Sequence, residues 1–94
     1  MDYLYKPGDK VRLIDHFVKE REYRMVSGPG YGCITTVKWT YEERSRLAGS
    51  IVTIAGYYKS GHYRIKETGG RMCWTDEMFV GLADESECYC ESLL

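Results

Sequence analysis

A surplus of charge of either sign is what this sequence lacks. Thirteen basic residues stand against fourteen acidic ones, a net charge of −1. A protein held to DNA or RNA mainly by phosphate attraction needs a basic excess, so nucleic-acid binding is at most weak here. Histidine is scarce, with two residues, which leaves little material for a proton relay. Two prolines accompany ten glycines, so turns are many and rigid linkers few. No apolar run approaches the roughly 20 residues that span a bilayer. The opening MDYLYKPGDK lacks the charged and apolar regions of a secretory leader, so a cytoplasmic chain is expected. Its cysteines, Cys33, Cys73, Cys88 and Cys90, are then expected to be reduced. No internal repeat or low-complexity tract is present.

What is there describes one folded domain. The 94 residues can bury one modest core, and 44% of them are hydrophobic. Residues 83–94 form an acidic tail, and residues 1–82 are expected to hold the fold. From Leu82 onward the chain carries four acids and no base, and the rest is mildly basic. A solvated tail is the default reading of such a run.

Alternation of apolar and polar residues marks the strands. Val11 and Leu13 flank Arg12 after the Pro7-Gly8-Asp9 turn. Residues 17–25 fit neither the helical nor the strand period, and SGPGYG at 27–32 reads as a loop. CITTVKW at 33–39 predicts a strand with Cys33, Thr35, Val37 and Trp39 on one face. Thr40 and Glu43 have capping-box spacing and Gly49 can stop a helix, which predicts one over about 41–48. SIVTIAGYY at 50–58 is the clearest strand, with Val52 and Ile54 inward. HYRIKE at 62–67 sends Tyr63 and Ile65 in, and His62, Arg64 and Lys66 out. RMCWT returns with Met72 and Trp74 inward and Cys73 outward. Gly-rich turns join these three as an antiparallel meander. In TDEMF, Thr75 or Asp76 is expected to cap a short turn, while Met78 and Phe79 close the core. The expected fold is all-β or β-dominated: a small antiparallel barrel with one short helix in an excursion at about 17–46.

KPGDKVRLI (6–14) together with LAGSIVTIAGYYKSGHYRIKETGGRMCWTDEMF (47–79) resembles a group of small phage and prophage proteins of Firmicutes. The resemblance covers under half of the chain. It implies an SH3-like barrel, a viral setting and the host cytoplasm. Small viral proteins of this kind often antagonise host immunity, by occupying a defence protein or by sequestering a signalling nucleotide. The stretch Phe17–Arg46 departs from the pattern and is where ligand specificity is expected. A fold does not fix a function, so the site must carry the argument.

Binding is expected rather than catalysis. Asp76 and Glu77 are adjacent on a turn, so they point apart rather than converge as an acid–base pair. No Ser, His and acid stand at motif spacing. SGPGYG fails as a phosphate loop because Pro29 lacks an N–H donor. Cys88-x-Cys90 is too tightly spaced for a paired zinc ligand set, even with Cys33, Cys73, His16 or His62, so no metal or other cofactor is expected. The strip His62, Arg64 and Lys66, with Arg71 on the next strand, suits a phosphate or an acidic protein surface. Arg12, Lys38, Arg44 and Arg46 extend it; an ordinary solvated face explains it equally well. Tyr57, Tyr58 and, from the loop, Tyr31 add aromatic surface that stacks bases or makes protein hot spots. The candidate ligand-binding set is therefore Tyr31, Tyr58, His62, Arg64, Lys66 and Arg71. The first expectation is an antagonist that sequesters a nucleotide-derived small molecule; the alternatives are an inhibitor of a host defence protein and a weak nucleic-acid-binding accessory barrel. Small binding folds often build their pockets between copies, so a homo-oligomer is expected.

Overall fold

A computed structural model describes residues 2–83. The acidic tail beyond Ala83, with Cys88 and Cys90, lies outside the described residues. Six strands and one helix follow in the order β1 Lys10–Leu13, β2 Glu22–Arg24, β3 Ile34–Thr36, α1 Tyr41–Leu47, β4 Ile51–Tyr57, β5 Tyr63–Ile65 and β6 Phe79–Leu82. Two 3-10 turns, Lys66–Thr68 and Asp76–Met78, complete it. The β-dominated class matches the expectation.

Four strands form one antiparallel sheet in the order β5-β4-β1-β6. Register shifts at Ile54/Gly56 and Arg12/Leu13 insert bulges that bend the strands. The hairpin β2-β3 forms a second, separate sheet. The ladders do not close into a continuous barrel. The third meander strand is reduced to a single bridge between Trp74 and Tyr63.

One core serves the described residues. Val11, Leu13, Val52, Ile54, Tyr63, Ile65, Trp74 and Met78 enter it from the four-stranded body. Phe17, Tyr23, Met25 and Val37 enter the same cluster from the excursion. Phe17 meets Trp74 edge to face, with ring centroids 6.1 Å apart. The excursion is therefore part of the fold, although its sequence shows no clear period.

The acidic pair clamps that excursion. Asp76 is buried and accepts the Val26 N–H at 2.8 Å and the Ser27 hydroxyl. Glu77 accepts the Arg24 N–H. Neither Thr75 nor Asp76 caps its own turn, contrary to the expectation. Thr40 does not cap α1 either: its hydroxyl accepts from Arg44 Nε at 2.7 Å. The N-terminal tyrosines, which the sequence reading left without a role, seal one end. Tyr5 is buried, and Tyr3 stacks on Tyr57 at 3.7 Å with rings nearly parallel.

Candidate functional site

The structure disperses most of the basic strip. Arg64 points outward as expected, and its guanidinium lies across Gly56 of β4. Its charge reaches the half-buried Tyr58, whose hydroxyl donates to the Met72 carbonyl at 3.0 Å. Burial raises the Tyr58 phenol, with Cys73 adding to the rise and Arg64 opposing it. Lys66 is exposed but lies past the end of β5, in a 3-10 turn. Arg71 is exposed and spent on Glu43 of α1, which its Nη1 meets at 2.9 and 3.2 Å. Tyr31 is exposed at the β2-β3 hairpin tip.

His62 corrects the expected alternation. It is buried, not outward, because it precedes β5 and belongs to the turn that Tyr58 N–H closes onto its carbonyl. Arg44 was placed with the surface strip and is instead 2% exposed. Its guanidinium lies 4.5 Å over the Trp74 ring and donates to Thr40 Oγ1 and, at 3.4 Å, Met78 Sδ. No carboxylate pairs with it among the described residues. Burial lowers its pKa to about 10, with Cys73 and Glu43 opposing the drop.

The side chains that do converge belong to the excursion. A cavity of about 580 Å³ is lined by Lys19 and Glu20, by Lys38 and Trp39, and by Tyr41, Glu42, Glu43 and Arg46 of α1. That volume falls in the range of ligand sites. Its walls carry three cations and three carboxylates, so no net field favours a polyanion. Trp39 stands 91% exposed, with Lys38 Nζ 5.3 Å from its ring centre. The strand reading put Trp39 on one face with Val37, but β3 ends at Thr36 and the following turn rotates it outward. Glu20 at the rim has φ 69°, a backbone region that non-glycine residues seldom occupy. The sequence signal for this site was an aromatic beside a base, Lys38-Trp39, at the end of a short predicted strand.

Among the described residues, no group of three or more His, Cys, Asp and Glu side chains converges to hold a metal. No helix among them is long and apolar enough to cross a membrane. No family model, curated protein or solved structure matches the chain.

Proposed function

We propose that this chain is a non-catalytic binding protein that occupies a partner protein through its 17–46 excursion. The observation that carries this reading is Trp39. A fully solvated indole gains nothing for folding, and Trp, Tyr and Arg are the residues that dominate protein interfaces. Trp39, Tyr41 and Arg46 share one cavity, ringed by charges of both signs. The strand order supports reading the body as an open SH3-like barrel whose first connection has grown into the binding arm. Together with the phage resemblance, this points to an antagonist of a host defence protein.

The test is phage growth on bacteria that carry single defence systems, with and without the protein. The parent chain is expected to restore plating on at least one system, and Trp39→Ala to lose that effect while melting at the same temperature. Full restoration by Trp39→Ala would sink the reading. A second reading, sequestration of a signalling nucleotide, is favoured by Lys38 over the Trp39 ring and by Lys19 and Arg46 in the same cavity. A panel of cyclic and linear nucleotides separates the two. A melting shift with intact ligand recovered after heat release supports sequestration.

A further inference from the structure

The hairpin tip at 28–33 meets the β4–β5 turn backbone to backbone. A Cβ built on Gly30 would lie 2.7 Å from the Gly61 carbonyl oxygen, and Gly61, at φ +97°, faces Gly30 in return. Glycine on both sides is what permits this approach. The Cys33 thiol adds one weak bond, donating to the Ser60 carbonyl at 3.3 Å. No side chains interlock at the Gly30–Gly61 contact itself.

His62 sits beside this seam, 8% exposed. Its Nδ1 shares a hydrogen bond with the Ser60 hydroxyl at 2.7 Å, and its Nε2 is buried with no partner. A neutral imidazole tolerates this because one nitrogen carries no proton. An imidazolium carries N–H on both nitrogens, and a buried charge beside another cation is costly even with the Ile34 carbonyl placed to accept from the ring. Ser60 and Tyr58 face it from the turn, Cys33 and the Ile34 carbonyl from the hairpin, and Arg44 from α1. Among the described residues, the charged group that bears on it is thus another cation.

We infer that His62 is an acid-operated latch: on gaining a proton it parts the 28–33 tip from the 59–62 turn while the four-stranded sheet stays formed. The tip is the side that yields. It is flanked by Gly28 at φ +74° and Gly32 at φ +90°; what joins it to the 59–62 turn is a glycine contact and one thiol bond, while Gly28 faces the Tyr3 ring and the Gly32 and Met25 amides bond the Met25 and Cys33 carbonyls at its base. The deeper tie from Val26 and Ser27 to Asp76 lies behind that hinge and holds. Burial lowers the His62 pKa below 6.5, a hydrogen bond offered by the Ile34 carbonyl opposes the drop, and the Arg44 charge adds to it. The sign follows from linkage. The closed seam is fully favoured above the ordinary value of 6.5, weakens as pH falls from there to the lowered value, and weakens no further below it. This inference stands apart from the proposed partner.

Residue-resolved amide exchange, corrected for intrinsic rates, tests it at about pH 7.5 and about pH 5. The Tyr31, Cys33 and Gly61 amides, bonded to Gly28, Gly30 and Tyr58, are expected to lose protection in acid. The loss can reach about tenfold per pH unit and no more. Val11 and Val52 in the sheet are expected to keep theirs. His62→Gln should abolish the acid response. Unchanged tip protection, equal loss in the sheet, or the same response in His62→Gln would each overturn the latch. Should His62→Gln fail to fold, the His62 ring and the tip amides of the parent chain must titrate with one midpoint below 6.5; separate midpoints refute it.

Discussion

Trp39 and Trp74 lie at the two extremes of exposure, 91% and 0%. Their truncations should therefore part company. Trp74→Ala empties the centre of the core and is expected to cost about 3–5 kcal/mol in urea denaturation. Trp39→Ala removes a side chain that touches mainly water and Lys38, and should stay within about 0.5 kcal/mol. Arg44 poses the opposite problem, a buried cation with no paired carboxylate among the described residues. Among the described residues its desolvation is offset by Thr40, Met78 and the Trp74 face, with help from the charges of Cys73 and Glu43. Arg44→Met keeps the length and drops the charge, so it should be neutral or stabilising by up to about 2 kcal/mol. Arg44→Ala leaves a void and should lose about 2 kcal/mol or more. A loss in Arg44→Met as large as in Arg44→Ala would show that the guanidinium contacts outweigh its burial.

At the scale of elements, the two acids of TDEMF hold the excursion to the body. Asp76→Ala strands the Val26 N–H and Ser27 hydroxyl and should cost about 2–4 kcal/mol. Glu77→Ala, at an exposed site, should cost under about 1 kcal/mol. Urea midpoints of the two variants check the ranking. Their role was not legible locally, because the partners lie some fifty positions away in the chain. Elements defined by neighbours were legible. β4 and α1 fall within a residue or so of their expected ends, and Val11, Leu13, Val52, Ile54, Tyr63 and Ile65 point inward as read. Alternation failed where strands stop early. His62 lies before β5 and Trp39 beyond β3, so both left the face that period two assigned them, while Lys66, past the end of β5, stays exposed as expected. Those errors moved the candidate site from the β5 strip to the excursion.

For the whole molecule, the shared core predicts a single unfolding unit. Phe17, Tyr23, Met25 and Val37 pack with the body residues, so the excursion cannot melt alone without opening that core. Far-ultraviolet dichroism of the backbone and near-ultraviolet dichroism of the tyrosines should give coincident thermal transitions. A separate early tyrosine transition would mean that the excursion is a detachable arm. The near-balanced charge also makes weak salt dependence the expectation for any interaction through the cavity, measured as affinity against ionic strength. A steep dependence would favour a polyanionic ligand.

The contrast between the two indoles has an optical consequence. Trp39, open to water beneath the Lys38 ammonium, should emit at long wavelength and be quenched by dissolved iodide. Trp74, dry under Arg44, should emit at shorter wavelength and be shielded from it. A partner that covers the cavity would change the first signal and spare the second. Denaturation would do the reverse. The protein thus carries two internal dyes, one that reports occupancy and one that reports integrity.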